Sequence, residues 1–275
     1  MSSMSPSGLH VNKPVIAVLF GVIVVGIVYF KMSGRTAPTA NVELGQKSVS
    51  KDTEKAQTSK DSTDDLKSIT VKHVTDLKVK VGDKELTVAY RETNCEEAKL
   101  DVLFLHGMAF KSETWASDPV WTLQLLFKTG GFRAVAIDLP GYGDSPQADV
   151  DKALFIQAVI DTLKLNKPVI VSPSMSGGFS LPYLFKYPGS VRGFVPVAPV
   201  GTGDFTPEDY KKLKIPTLVI YGEKDKRLGV DSKKNLENLP ERTIVEVPGA
   251  GHPCYIDNPE FFHEFFIKFL KSLIK

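Results

Sequence analysis

The sequence predicts an α/β fold in which helices cover both faces of a mostly parallel central sheet. Short apolar runs typical of buried strands recur from about residue 70 onwards, and segments with helical spacing of apolar residues separate several of them. Strands that alternate with helices form βαβ units, which join parallel strands. Turn residues follow several of these runs, so functional side chains are expected at the carboxyl edge of the sheet.

The predicted domain begins with two antiparallel strands. Residues 70–81 and 84–92 read as strands, and the Gly82-Asp83 pair between them is typical of a hairpin turn. The other apolar runs read as strands buried within the sheet. They cover residues 100–105, 134–138, 169–171, 191–198, 216–220 and 243–247. Helical spacing of apolar residues predicts helices at residues 151–163, 177–186 and 259–274.

Ser-Pro-Ser-Met-Ser-Gly stands at residues 172–177, directly after one of these strands. A strand, a tight turn and a helix in this order form the nucleophile elbow of an α/β-hydrolase, which usually reads Gly-x-Ser-x-Gly. Serines replace both glycines here, and serine is small enough for a strained, closely packed turn. Because the strand is expected to end just before Ser172, the predicted nucleophile is Ser174, with Ser176 as the alternative.

An oxyanion hole is expected beside this serine. His106-Gly107 follows the strand at residues 100–105, and in this fold a turn after an early strand supplies one backbone amide while the residue after the nucleophile supplies the other. The two donors are therefore predicted to be the amides of Met108 and Met175. His106 itself is expected to be a structural turn residue, because the base of this fold lies near the C-terminus.

The base and its orienting acid should follow the nucleophile in the order Ser, Asp, His. Asp225 comes shortly after the strand at residues 216–220, and His252 lies in a glycine-rich loop after the last strand. His252 would take the proton of the serine, and Asp225 would hold its tautomer. Glu223 is the alternative acid. Asp138, at the end of an earlier strand, is expected to be structural.

The runs at residues 105–115, 172–177 and 249–255 resemble the α/β-hydrolase domain-containing protein 14 subfamily, in which Ser-Pro-Ser-x-Ser is normal. The likeness covers residues 69–275, and the N-terminus looks like that of the membrane-anchored A-type member. The resemblance implies a serine hydrolase with its triad on Ser174, Asp225 and His252. The soluble relative is associated with short acyl esters and with acyl transfer to coenzyme A, so coenzyme A is the alternative acyl acceptor to water, and no bound cofactor is expected.

The N-terminal region predicts a membrane attachment. Residues 14–30 are about 17 apolar residues without a charge, which as a helix would span roughly 26 Å. An uncleaved anchor is favoured over a signal peptide, whose apolar region is shorter. Residues 1–13 would be a short tail and residues 31–68 a disordered polar linker. The resemblance implies type II topology, whereas the lysines and arginine after the segment would keep the domain in the cytoplasm.

Only about 17 residues, 199–215, separate two of the predicted strands at the point where many α/β-hydrolases insert a lid. A short helix around residues 207–213 is all that fits there, so the lid is expected to be minimal or absent. An open, shallow site suits small acyl esters or amides, or an acylated side chain on a larger protein.

Composition excludes several other classes of function. The net charge is +2, which gives no reason to expect a nucleic-acid partner. Cys95 and Cys254 have neither the spacing of a metal site nor that of a disulfide framework, and Cys254 is expected to be packed in the interior.

Three hypotheses for the function remain. The protein is a serine esterase or amidase, an acyltransferase that uses the same acyl-enzyme, or a membrane-tethered binding protein on a hydrolase scaffold that has lost its activity.

Overall fold

One sheet of eight strands organises the computed structural model, which describes residues 64–274. The strands are β1 (Lys72–Val81), β2 (Lys84–Asn94), β3 (Leu100–Phe104), β4 (Phe132–Ile137), β5 (Val169–Pro173), β6 (Gly193–Val197), β7 (Thr217–Gly222) and β8 (Arg242–Val247). Their order in the sheet is β1-β2-β4-β3-β5-β6-β7-β8. Only β2 runs against the others, so the sheet is mostly parallel, as predicted.

Helices cover both faces of the sheet. They are α1 (Thr122–Thr129), α2 (Lys152–Thr162), α3 (Gly177–Lys186), α4 (Pro207–Lys212), α5 (Leu228–Leu236), α6 (Cys254–Asp257) and α7 (Pro259–Leu273). Side chains alternate across each strand: Leu103 joins the core on the α2 and α3 side, and Phe104 joins the core on the α1 and α7 side. Burial of both faces explains why the parallel strands read as continuous apolar runs.

The first hairpin forms as predicted. β1 and β2 pair antiparallel with Val81 opposite Lys84, and Gly82 in the turn has a φ of +59°, which favours glycine. β2 then pairs antiparallel with β4 and joins the hairpin to the parallel part of the sheet.

The segment between β6 and β7 is short. It holds a 3₁₀ turn at Thr202–Asp204 and the six-residue helix α4, which agrees with the predicted helix around residues 207–213. Thr206 caps α4, accepting a hydrogen bond from the Asp209 amide while the Asp209 carboxylate accepts one from the Thr206 amide. A helix fixed in this way leaves no long insertion between β6 and β7.

Two details differ from the prediction. The expected end of β5 before Ser172 is wrong, because Ser172 and Pro173 continue the pairing with Pro196 and Val197 of β6. The predicted linker at residues 31–68 ends in order rather than disorder, because residues 64–67 form a helical turn from which Asp65 pairs with Lys128 at 2.8 Å.

Within residues 64–274, none of the helices combines the length and the apolar character needed to cross a membrane. The predicted anchor at residues 14–30, and the linker as far as residue 63, lie outside the described residues.

Candidate active site

Ser174 occupies a strained turn at the carboxyl end of β5. It is the first residue after the strand and has a φ of +50°, a left-handed conformation that few non-glycine residues adopt. The Ser174 carbonyl accepts a hydrogen bond from the Val200 amide at 2.9 Å. A Cβ at Gly177 would lie 2.3 Å from the Val200 carbonyl oxygen, so the turn packs directly on this backbone. The geometry is that of a nucleophile elbow, with α3 following a 3₁₀ turn at Ser174–Ser176.

A buried network of hydroxyls occupies the two positions where the usual motif has glycine. Ser172 and Ser176 are fully buried, with 3.0 Å between their Oγ atoms. Ser172 Oγ also lies 2.7 Å from Ser180 Oγ, and Ser176 donates to the Pro173 carbonyl at 2.7 Å. Serine is tolerated here because each hydroxyl has a partner as well as because it is small. Ser176, the alternative nucleophile, is committed to this network beneath the turn.

The structure brings the three predicted catalytic side chains together. Ser174 Oγ lies 2.8 Å from His252 Nε2, and His252 Nδ1 lies 2.5 Å from Asp225 Oδ2. Asp225 is buried, with its side chain 7% exposed, whereas the His252 side chain is 37% exposed. A serine, an imidazole and a carboxylate connected in this order can lower the barrier to removing the serine proton.

Glu223 and Asp225 lie in the same loop after β7 but bind different groups: Glu223 binds a backbone amide and Asp225 binds the imidazole of His252. Glu223 Oε2 accepts a hydrogen bond from the Gly249 amide at 2.6 Å. Asp257 Oδ2 accepts one from the Gly251 amide at 2.7 Å. These two carboxylates hold the backbone on the N-terminal side of His252, whereas Asp225 contacts the imidazole itself.

Two glycines make room at the acid and base loops: Gly222 lets the two loops approach each other, and Gly229 lets α5 pack against Asp225. A Cβ at Gly222 would lie 2.0 Å from the Gly251 carbonyl oxygen, and one at Gly229 would lie 2.9 Å from the Asp225 Cβ. Any side chain at Gly222 would therefore displace the loop that carries His252.

The loop after β3 lies against the elbow. A Cβ at Gly107 would be 3.5 Å from the Ser174 Cβ. Met108, the next residue, lines the same cavity as Ser174 and is 69% exposed. Met175 follows Ser174 directly, and its side chain packs against the core on the α2 and α3 side. Both residues predicted to supply oxyanion amides thus adjoin the serine.

His106 fixes the path of this loop. The Leu139 amide donates to His106 Nε2 at 3.0 Å, so the ring proton lies on Nδ1, which donates to the Gly107 carbonyl at 2.9 Å. His106 is fully buried, and burial lowers its pKa. With both nitrogens bonded to the backbone, His106 has the structural role that was predicted.

Asp138 is also structural. Its buried carboxylate accepts hydrogen bonds from the Ser112 amide at 2.6 Å and from the Asp144 amide at 2.9 Å. A Cβ at Gly143 would lie 2.2 Å from Asp138 Oδ2, so this carboxylate is enclosed by the loop that follows β4.

An apolar cavity of about 150 Å³ adjoins Ser174 and His252. The sequence interpretation had assigned no role to most of its walls, which come from the loop after β3, the end of β6 and the residues after His252. The lining residues are Gly107, Met108, Ala109, Phe110, Pro173, Ser174, Val197, His252, Pro253 and Tyr255. The only signal for Phe110, Pro253 and Tyr255 was their place beside the predicted site residues.

Cys254 is packed, as expected. It is fully buried, it does not line the cavity, and burial raises its pKa to about 12. Among residues 64–274, no group of three or more histidine, cysteine, aspartate or glutamate side chains is arranged to hold a metal ion.

Several known proteins are similar to this chain in sequence or in fold. Residues 102–199 match the Alpha/beta hydrolase family. ABHD14A of Danio rerio is 44% identical over a match that covers 64% of this chain and 66% of that protein. ABHD14B of Rattus norvegicus, provisionally named a protein-lysine deacylase, is 41% identical over 66% of this chain and 89% of its own length.

A solved structure of a predicted CIB-like hydrolase from Thermoplasma acidophilum superposes with a TM-score of 0.65 at 26% identity. The superposition covers 74% of this chain and 99% of that one. Together with the sheet order, the elbow and the sequence matches, it shows that this chain belongs to the ABHD14 family of the α/β-hydrolase superfamily.

Proposed function

We propose that this protein is a serine hydrolase that removes small acyl groups from esters or amides through an acyl-enzyme on Ser174. The observation that carries the proposal is the chain of contacts from Ser174 Oγ to His252 Nε2 and from His252 Nδ1 to Asp225 Oδ2. Ser174, at the end of this series of contacts, borders an apolar cavity that is large enough for a small acyl group. Hydrolase chemistry agrees with the family to which the chain belongs.

The proposed mechanism has two halves. His252 Nε2 takes the Ser174 hydroxyl proton as Oγ attacks the substrate carbonyl, and Asp225 stabilises the imidazolium that forms. The tetrahedral intermediate collapses when the same imidazolium gives its proton to the leaving oxygen or nitrogen, which leaves an acyl-serine. In the second half, water gives a proton to His252 Nε2 as its oxygen attacks the acyl carbon. The second tetrahedral intermediate collapses as the imidazolium returns this proton to Ser174 Oγ, which releases the carboxylic acid and restores the serine hydroxyl.

Two backbone amides would stabilise the oxyanion of each tetrahedral intermediate. We assign this role to Met108 and Met175, because both adjoin Ser174, on the loop after β3 and on the elbow. One such donor is worth about 10²–10³ in rate in other enzymes of this mechanism. Because the donor is the backbone amide of Met108, a substitution of its side chain should leave the oxyanion hole intact.

The size of the cavity favours short acyl groups. Ligand pockets commonly measure about 300–1,000 Å³, whereas this cavity measures about 150 Å³. The short segment between β6 and β7 adds no cover that would enclose a long alkyl chain. Acylated lysine side chains on other proteins are suitable substrates, in keeping with the name of the ABHD14B relatives.

Water is the proposed acyl acceptor, and a thiol such as coenzyme A is the alternative. Residues 69–275 form the proposed hydrolase domain and residues 14–30 a proposed single-pass anchor, and the part of the predicted linker that precedes the helical turn at residues 64–67 connects them. The anchor has two alternative orientations: a type II topology, or one that places the hydrolase domain in the cytoplasm.

The test is a series of p-nitrophenyl esters from acetyl to decanoyl, assayed with the full-length protein. We expect kcat/KM to fall as the acyl chain outgrows the cavity, with turnover lost in Ser174→Ala and kept in Ser176→Ala. Adding coenzyme A to the assay distinguishes hydrolysis from acyl transfer. Rates that rise with chain length would contradict the proposed substrate class, and equal turnover by Ser174→Ala would contradict the proposed nucleophile.

A further inference from the structure

Tyr255 is the most deeply buried polar side chain on the wall of the active-site cavity. The residue is 1% exposed and lines the same cavity as Ser174 and His252. Its ring stacks on Trp115 with 4.5 Å between centroids, and Trp115 is fixed by a hydrogen bond from its Nε1 to the Leu105 carbonyl at 2.8 Å. The position of Tyr255 is therefore set by its packing.

The hydroxyl of Tyr255 has no hydrogen-bond partner within residues 64–274. The enclosed side-chain atoms that lack a partner belong to Gln124, Tyr183 and Ser190, and the Tyr255 hydroxyl is not one of them. The hydroxyl thus has no partner among residues 64–274 and is not one of the enclosed atoms, and the cavity is the open space that Tyr255 is seen to line. Burial raises the pKa of Tyr255, so the group is a neutral hydroxyl that can donate and accept.

We infer that the Tyr255 hydroxyl faces the cavity and hydrogen-bonds a polar atom of the acyl group. This inference rests on the proposed acyl-serine chemistry and specifies the substrate class. Short acyl groups that carry a hydroxyl or keto oxygen are preferred over unsubstituted acyl groups of equal length. The remaining walls are mostly apolar, so this hydroxyl sets the specificity within the cavity.

Solvation explains the expected preference. An aliphatic acyl tail that displaces water from the hydroxyl leaves this buried polar group unpaired, whereas a hydroxyacyl tail restores its hydrogen bond. Sites built to bond a substrate hydroxyl reject analogues that lack it for this reason. A typical hydrogen bond of this kind corresponds to a preference of about tenfold in kcat/KM.

The experiment compares p-nitrophenyl 3-hydroxybutanoate, as each enantiomer, with p-nitrophenyl butanoate in the full-length protein. We expect a ratio of kcat/KM values of about ten for one enantiomer in the native protein, and of about one in Tyr255→Phe. Phenylalanine preserves the stacking on Trp115, and circular dichroism checks that the variant folds. Tyr183→Phe, the same change in an enclosed tyrosine away from the cavity, should keep the native ratio.

Equal rates for both esters in the native protein, or a ratio unchanged in Tyr255→Phe, would overturn the inference while leaving the proposed function intact. Labelling of Ser174 by a fluorophosphonate separates the two ideas. A native protein that folds but neither labels nor cleaves any ester would overturn both.

Discussion

Replacing Asp225 with asparagine removes the negative charge behind His252 while keeping the size of the side chain. Asp225 Oδ2 lies 2.5 Å from His252 Nδ1, and the side chain is only 7% exposed, so water has little room to replace the carboxylate. An asparagine amide can donate to Nδ1, which would place the ring proton on Nε2. Ser174 Oγ, 2.8 Å from that nitrogen, would then face a donor instead of a base.

The expected loss is large because tautomer and charge are both affected. The equivalent change in a serine protease triad lowers kcat by about 10⁴, and at 1.36 kcal/mol per tenfold this is about 5 kcal/mol of transition-state stabilisation. We therefore expect Asp225→Asn to reduce kcat/KM for p-nitrophenyl acetate by about 10⁴. Thermal unfolding should show that the variant is folded.

Glu223→Gln is the matched control. Glu223 lies in the same loop and is exposed, and a glutamine oxygen can still accept the hydrogen bond from the Gly249 amide. Weakening one such bond costs about 1 kcal/mol, so activity should fall by less than about tenfold. A folded Asp225→Asn variant that stays within tenfold of the native rate, with Glu223→Gln losing about 10³ or more, would refute the assignment of the acid.

Two predictions concern stability. Ser176→Ala removes the hydrogen bond to the Pro173 carbonyl, but Ser172 keeps Ser180 as a partner; we expect a loss of about 1 kcal/mol by urea unfolding with ester hydrolysis retained, and loss of activity in a folded variant would contradict this. Burial lowers the pKa of His263 to about 4. In the unfolded chain the imidazole of His263 is protonated below a pH of about 6.5, whereas in the folded protein it stays neutral down to a pH of about 4. The free energy of unfolding should therefore fall as the pH is lowered from about 6.5 towards about 4. An equally steep fall of the urea midpoint in His263→Gln would contradict this.

The parallel core was predictable from the sequence because strands buried on both faces read as apolar runs. Helices α1 and α5 were not predicted. α5 turns Gly229, Ser232 and Leu236 towards the interior, and because two of these three residues are a glycine and a serine, no apolar stripe marks the helix in the sequence. α1 buries Thr122 and Gln124 together with its leucines, so its polar residues mask the helical period.

The candidate site was predictable because its residues follow the strands in a fixed order. The contacts among Ser174, Asp225 and His252 depend on parallel strands ending at one edge of the sheet, which the alternation of strands and helices already implied. The cavity wall was not predictable. Tyr255 follows His252 closely in the chain, but its orientation is set by stacking on Trp115, a contact between residues far apart in the chain that leaves no local pattern.

Labelling by a fluorophosphonate probe tests the central claim most directly, because this reagent reacts with a serine that has been activated. The full-length protein and its Ser174→Ala and Ser176→Ala variants would be labelled side by side, with circular dichroism to confirm folding. The account predicts labelling of the native protein and of Ser176→Ala, and none of Ser174→Ala. Labelling that persists in Ser174→Ala, or a folded native protein that does not label, would contradict the claim that Ser174 is the nucleophile of an assembled triad.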